Sequence, residues 1–213
     1  MQGSLIQNIS PERKEQMKKN LTRWLTVTAV LSALGAILMF FPKIKLPFMP
    51  SFISLDFSDL PALLASFSMG PISGVIVCLV KNLIGLLDSM TGGVGELSNF
   101  LISASFVLPA GIIYKFRHDR IGALLGSLLG AGVATGLSIL FNYYLVYPIY
   151  TNIMSMDAIL GMYRAINPNV RTLWDALLWF NAPFTFCKEL ISVIITFIIY
   201  KRISPLLHGR KKQ

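Results

Sequence analysis

The chain has 213 residues, of which 54% are hydrophobic and only 14% are charged, and its mean hydropathy is +0.64. Because a soluble domain carries roughly a quarter charged residues, this composition excludes an ordinary soluble fold. The net charge of +9 would suit nucleic acid, but the basic residues lie in short blocks between apolar runs, as in the cytoplasmic loops of membrane proteins. We therefore predict an integral membrane protein that contacts lipid and has no nucleic-acid partner.

The N-terminal part predicts a basic segment that leads into a first membrane span. Residues 1–23 form the basic juxtamembrane N-terminus, and the first span runs from about Trp24 to Phe41. Within this span Ala29 and Ala33 are four residues apart. Small residues at this spacing let another helix approach closely, either from the same chain or from another protein.

An apolar loop and a short second span follow. Residues 42–55 contain three prolines among several apolar residues, which predicts a loop folded back onto the membrane domain. Asp56 and Asp59 precede an apolar run that ends near Gly70. We interpret this pattern as a capped helix start followed by a short span.

Four further spans are predicted from the apolar runs. They cover about Ile72 to Leu87, Glu96 to Lys115, Ile121 to Val146, and Leu173 to Tyr200. Small residues recur every four positions in the fifth span, at Gly122, Gly126, Gly130 and Ala134. Such a row predicts close packing against another helix. A polar interlude with a short predicted surface helix, residues 147–172, separates the fifth span from the sixth.

The positions of the basic residues predict six spans with both termini in the cytoplasm. With this topology the outer segments hold only Lys43, Lys45, Arg164 and Arg171, and the other basic residues outside the spans are cytoplasmic. The predicted organisation is an all-α bundle of six transmembrane helices over residues 24–203. A basic cytoplasmic tail follows at residues 204–213.

Three charged side chains, Lys81, Lys188 and Glu189, fall within predicted spans. A charge at the bilayer centre costs about 2.5–3.5 kcal/mol, so each needs a partner or a function. Trp174, Asn181 and Lys188 follow one another at intervals of seven residues and form one helical stripe, which suits a planar ligand with a polar edge. Alternatively, Lys188 pairs with a carbonyl or an acid to stabilise the fold, and Lys81 pairs with Glu189.

The predicted topology also gathers six polar residues toward the outer side, beneath the loop of residues 42–55. They are Asp56, Glu96, Asn99, Asn152, Asn181 and Lys188. This arrangement predicts a pocket covered by a lid. Glu96 and Asn99 are equally consistent with a helix cap.

The sequence has no recognisable set of catalytic residues. No Gly-x-x-x-x-Gly-Lys-Ser/Thr loop is present, so the chain is not expected to hydrolyse ATP. His118 and His208 lack metal-ligand spacing, and Cys78 and Cys187 lie in apolar stretches. We therefore expect a transport or binding protein rather than an enzyme, with no metal site and no cofactor.

Four motifs connect the chain to a known family. They are Asp56-Phe57-Ser58-Asp59-Leu60-Pro61, Gly70-Pro71 with Lys81-Asn82, Gly92-Gly93-Val94-Gly95-Glu96-Leu97-Ser98-Asn99-Phe100, and Pro183-Phe184 with Lys188. Together they resemble the substrate-binding S components of energy-coupling factor (ECF) vitamin transporters, specifically the riboflavin-specific branch. The resemblance extends over about residues 24–203, the substrate-binding membrane domain.

The resemblance implies a multi-pass protein of the bacterial plasma membrane that captures riboflavin, its transported ligand, from outside. A transmembrane coupling (T) subunit and two cytoplasmic ATPase subunits would then drive release inward. Ala29 and Ala33 would dock on the coupling subunit. The alternatives are an S component for another vitamin, such as thiamin, and a stand-alone carrier, which would more often show an internal repeat.

The resemblance, together with the predicted topology, suggests roles for the polar residues. We expect Lys188 and Asn152 to meet the polar edge of the flavin ring, with Asn181 in support. Glu96, Asn99 and Asp56 are candidates for contacts with the ribityl hydroxyls. The loop that carries Leu46, Pro47 and Phe48 would cover the ring.

Overall fold

The computed structural model describes residues 10–89 and 91–208, and for residues 200–208 it describes the backbone alone. Most of these residues are helical. Parts of the two predicted basic segments, residues 1–9 and 209–213, lie outside this description. Five helical stretches in the described residues are long and apolar enough to cross a membrane. They are Pro11–Phe40, Pro71–Asp88, Val94–Phe116, Arg120–Tyr150 and Leu173–Ile199.

Nine helices and two short strands follow one another in the described part of the chain. In order they are α1 (Pro11–Phe40), β1 (Ile44–Lys45), β2 (Ser54–Leu55), α2 (Asp59–Met69), α3 (Pro71–Gly85), α4 (Val94–Phe116), α5 (Arg120–Phe141), α6 (Tyr147–Tyr150), α7 (Met156–Arg164), α8 (Leu173–Ala176) and α9 (Ala182–His208). A 3₁₀ turn, Leu86–Asp88, extends α3. Two turns of π-helix, Asn142–Val146 and Leu177–Asn181, join α5 to α6 and α8 to α9.

The predicted second span is α2, which is too short to cross a bilayer alone. Its 11 residues extend about 16 Å at about 1.5 Å per residue, whereas the hydrocarbon core is about 30 Å thick. The residues from Asp59 to Phe67 are all buried, and α2 packs against α1, α3, α4 and α9. The apolar run therefore belongs to an internal helix, and helix length does not confirm the count of six spans.

The row of small residues in α5 packs closely against α4, which confirms the predicted close packing against another helix. All four small residues of the row are buried. A Cβ atom added to Gly126 would lie 2.7 Å from the carbonyl oxygen of Ala110, and one added to Gly130 would overlap the carbonyl oxygen of Phe106. Only glycine allows the two helix backbones to approach this closely.

The loop between α1 and α2 folds back onto the bundle, which confirms the prediction for residues 42–55. Strands β1 and β2 pair antiparallel and close the loop into a small hairpin. The ring of Phe52 lies 5.7 Å from that of Tyr150 and 6.1 Å from that of Tyr163. The loop is thus packed against the helices that follow α5.

Buried apolar side chains form two clusters, and the segment before α2 connects them. One cluster lies among α1 to α5 and α9 and includes Leu60. The other lies among the start of α4, the two π-turns and α6 to α8, and has Phe52 and Ile53 packed against it. Asp56 and Asp59 lie between these anchors in the sequence. Both carboxylates are therefore held inside the protein.

Candidate binding site

A cavity of about 430 Å³ lies between the loop and the helical segment from residue 179 to 191. Small-molecule sites have volumes of about 300–1,000 Å³. The loop side is formed by Leu46, Phe48, Met49 and Leu55, so two of the predicted lid residues line the cavity. The helix side is mostly aromatic and aliphatic, and Lys188 adds a charged group to it.

The ammonium group of Lys188 forms two ion pairs inside the protein. Its Nζ lies 3.2 Å from Oδ2 of Asp56 and 3.0 Å from Oδ2 of Asp59. The side chain is largely buried, with a residue exposure of 8%. Lys188 therefore pairs with acids, as one of the alternatives left open by the sequence predicts, and it also lines the cavity.

Lys81 completes the charge pairing from α3. Its Nζ lies 2.5 Å from Oδ1 of Asp59, and it donates hydrogen bonds to Ser58 Oγ at 2.6 Å and Ser103 Oγ at 3.3 Å. The pairing of Lys81 with Glu189 that the sequence allowed is not formed. Asp59 takes that place because it begins α2, which packs directly on α3.

Ser58 links the two aspartates and the two lysines into a closed ring. Its backbone N–H and its hydroxyl both donate to Oδ1 of Asp56, at 2.9 and 2.5 Å, and its hydroxyl accepts from Lys81. The ring runs from Lys188 to Asp56, Ser58, Lys81, Asp59 and back to Lys188. We call these four charged residues the ion cluster; two positive and two negative charges balance within it.

Asn99 joins the ion cluster through α4. Ser103 can donate its hydroxyl hydrogen to Oδ1 of Asn99, at 2.9 Å, or to Oδ1 of Asp59. The structure therefore brings three of the six predicted polar residues, Lys188, Asp56 and Asn99, into one network.

Asn181 belongs to a different buried network. Tyr163 donates its hydroxyl hydrogen to Oδ1 of Asn181 at 2.7 Å, and Nδ2 of Asn181 donates to the hydroxyl oxygen of Tyr147 at 3.3 Å. The two tyrosine hydroxyl oxygens are 2.5 Å apart. Burial raises the pKa of Tyr163 well above its ordinary value, so its hydroxyl stays protonated at neutral pH and can donate.

This tyrosine network joins α6 and α7 to the π-turn before α9, and no local pattern in the sequence indicates it. Asn181 ends a π-turn, a feature frequent at functional sites, and it lies directly before the residues that line the cavity.

Glu96 and Asn152 lie outside the cavity lining. Oε2 of Glu96 accepts hydrogen bonds from the hydroxyl groups of Ser89 at 2.7 Å and Thr91 at 3.3 Å, so it closes the turn before α4 without capping a backbone N–H of the helix. Asn152 is exposed, and its Nδ2 donates to the carbonyl oxygen of Ile149 at 2.9 Å.

Ala29 and Ala33 lie on the outer face of α1. Both are exposed, whereas their neighbours Ser32 and Ala36 are buried against the bundle. The described part of the chain therefore does not use the two alanines for its own helix packing.

Comparison with known proteins then identifies the family. A family model described as "ECF transporter, substrate-specific component" matches residues 23–200. The chain belongs to this family. It is a multi-pass protein of the bacterial plasma membrane and a transport component, which confirms the prediction that it is not an enzyme.

Individual members of the family are similar over almost their full length. The riboflavin transporter RibU of Staphylococcus aureus (strain TCH60) is 35% identical over 195 residues, which cover 92% of this chain and 96% of the relative. The riboflavin transporter FmnP of Bacillus subtilis (strain 168) is 27% identical, with 88% and 95% covered. A solved structure titled "Structure and mechanism of the S component of a bacterial ECF transporter" has 34% identity, a TM-score of 0.70, and coverage of 89% of this chain and 99% of its own.

Removal of the Lys188 ammonium group is expected to destabilise the ligand-free protein. In Lys188→Met, Lys81 is the one cation left in the ion cluster for Asp56 and Asp59. Removing one partner of a buried ion pair lowers the free energy of unfolding by about 3–5 kcal/mol. The midpoint of thermal unfolding in detergent should fall, and the charge-balanced variant Lys188→Met/Asp56→Asn should recover part of it. Lys43→Met, at an exposed loop position, is the control.

Equal instability of the single and the double variant would contradict this prediction. It would mean that the carboxylate of Asp56 is not the group that Lys188 compensates.

Proposed function

We propose that this chain is the high-affinity riboflavin-binding S component of an ECF-type vitamin transporter and mediates riboflavin uptake. The observation that carries the proposal is the cavity under the loop, which combines apolar walls with the charged residue Lys188. The family membership and the names of the similar proteins from Staphylococcus aureus and Bacillus subtilis support it. Riboflavin is the cargo in this proposal, not a cofactor.

The chemistry of the cavity suits the parts of riboflavin. The flat ring of the vitamin can stack between aromatic and aliphatic side chains such as Phe48, Trp179 and Phe184. The polar edge of the ring carries carbonyl oxygens that accept hydrogen bonds. Lys188 has three ammonium hydrogens, so one remains for such a carbonyl when two face Asp56 and Asp59.

The remaining roles extend this assignment. Asp56 and Asn99, which belong to the network around Lys188, accept hydrogen bonds from the ribityl hydroxyls. Three other predicted site residues form hydrogen bonds with neighbouring protein groups in this structure: Asn152, Asn181 and Glu96. In our proposal Asn152 reaches the polar edge and Glu96 the ribityl tail only after the ligand rearranges the outer loops, and Asn181 supports the site through the tyrosines.

Riboflavin is expected to protect Cys187 from alkylation. This thiol is exposed and lines the cavity, whereas Cys78 is fully buried and serves as an internal control. We expect N-ethylmaleimide to modify Cys187 several-fold more slowly in detergent when riboflavin is present, as measured by mass spectrometry. Thiamin at the same concentration should have no effect.

Protection by thiamin but not by riboflavin would favour an S component for another vitamin. The same alkylation rate with and without riboflavin would contradict binding in this cavity.

The proposed topology has six crossings with both termini in the cytoplasm. In this view α2, together with the buried segment before it, forms the second crossing of the membrane domain at residues 24–203. Trp24 Nε1 donates to the carbonyl oxygen of Met69 at 3.1 Å, which ties the start of that domain to the end of α2. The basic segments at residues 1–23 and 204–213 would then both face anionic lipid in the cytoplasm.

The proposed partners are a transmembrane coupling (T) subunit and two cytoplasmic ATPase subunits. The chain itself has no Gly-x-x-x-x-Gly-Lys-Ser/Thr loop, and in this proposal the ATPase subunits supply the energy for release. Ala29 and Ala33 present a small-residue surface on the outside of α1, where a helix of the coupling subunit can approach closely.

A tryptophan at this surface is expected to block uptake and spare binding. In Ala33→Trp the large side chain keeps a partner helix at a distance, while the cavity is unchanged. Radiolabelled riboflavin uptake by cells should fall at least tenfold, with unaltered riboflavin binding by the purified variant. Leu129→Trp, at an exposed position of α5, is the matched control. Normal uptake by Ala33→Trp would remove the surface from the interface.

A further inference from the structure

Glu189 is a buried acid that takes no part in the ion pairs of the ion cluster. It follows Lys188 on α9 and is completely buried. Neither of its carboxyl oxygens has a hydrogen-bond partner among the residues that the structure describes. An ionised carboxylate in such a place is costly, because nothing replaces the water it has lost.

The charges around Glu189 are already balanced without it. The turn before α2 and α2 itself present Asp56 and Asp59, α3 presents Lys81 and the thiol of Cys78, and α9 adds Lys188. Helix α5, which also packs against α9, carries no ionisable side chain between residues 121 and 141. Two lysines face two aspartates, so an ionised Glu189 would leave one net negative charge in the buried interior.

We propose that Glu189 is a proton-binding site: it is protonated in the ligand-free protein and acts as the reserve counter-ion of the ion cluster. When one aspartate is removed or moves away, Glu189 releases its proton to solvent and its carboxylate takes over the missing negative charge. The total charge of the buried groups then stays at zero.

The position of Asp56 connects this proton to the loop. Asp56 directly follows the hairpin that covers the cavity, and its ion pair with Lys188 joins the end of the loop to α9. An opening of the loop that carries Asp56 away from Lys188 leaves two lysines facing Asp59 alone. The release of the Glu189 proton restores the balance, so loop opening and deprotonation occur together.

Infrared difference spectroscopy of the purified, ligand-free full chain tests the proposal directly. At neutral pH the wild type minus Glu189→Gln should show the carbonyl band of a protonated carboxylic acid. Glu15→Gln, at an exposed position of α1, should show only carboxylate bands and is the matched control. Carboxylate bands alone for Glu189 would overturn the proposal.

The reserve role is tested in the Asp56→Asn background. There the carboxylic acid band of Glu189 should be lost and replaced by carboxylate bands. Asp56→Asn should unfold at nearly the wild-type temperature, whereas Asp56→Asn/Glu189→Gln should unfold at a clearly lower temperature. A carboxylic acid band that persists, a double variant as stable as Asp56→Asn, or an Asp56→Asn protein that does not fold would each overturn the reserve role.

Discussion

The pairing of Lys188 with Asp56 and Asp59 is the constraint on which the rest of this structure depends. Each charge in the ion cluster would be expensive in a membrane protein on its own, and each is tolerated because a charge of opposite sign lies within 3.2 Å. The four side chains come from the turn before α2, from α2, from α3 and from α9. Their mutual attraction therefore holds elements that are more than 100 residues apart in the chain.

The ion cluster also explains why α2 is short and internal. The segment before it has to bring Asp56 and Asp59 to the buried lysines on α3 and α9. A helix that spanned the membrane fully would carry the two aspartates toward the outer surface. Instead, α2 begins at the ion cluster, and the loop that precedes it reaches into the protein and forms one wall of the cavity.

For a transporter component, a balanced ion cluster at the edge of an apolar cavity has a physical advantage. A neutral ligand such as riboflavin cannot replace a counter-ion, so it has to bind without breaking the ion pairs. Lys188 can meet this requirement, since its third hydrogen is free for a carbonyl oxygen while the aspartates keep the other two. In our proposal Glu189 can release its proton, and its carboxylate then compensates if the loop carries Asp56 away during ligand entry.

Much of this arrangement could be predicted from the sequence, and the reasons for the failures are physical. Apolar runs predict the five long helices, and the row beginning at Gly122 predicts that α5 packs closely against another helix, which in the structure is α4. For the apolar run after Asp59 the sequence predicts a span, and the structure shows the short, buried α2 there, because composition alone does not separate a buried helix from a lipid-facing one.

The sequence also predicts that Lys81 and Lys188 need partners, but it does not identify the acids that pair with them. Asp56 and Asp59 were interpreted as a helix cap, since their distance from the lysines depends on tertiary packing. The tyrosines that bind Asn181 come from two other elements, and no local pattern indicates them. The exposure of Asn152 likewise depends on how the segment after α5 folds.

The most direct test of the account is a titration of riboflavin with the purified protein, followed by the quenching of flavin fluorescence. The wild type should quench one riboflavin per chain, and the charge-balanced variant Lys188→Met/Asp56→Asn should bind at least tenfold more weakly, a loss of about 1.4 kcal/mol or more. Absence of quenching by the wild type, or equal affinity of the folded variant, would contradict the claim that Lys188 and its ion cluster hold the vitamin.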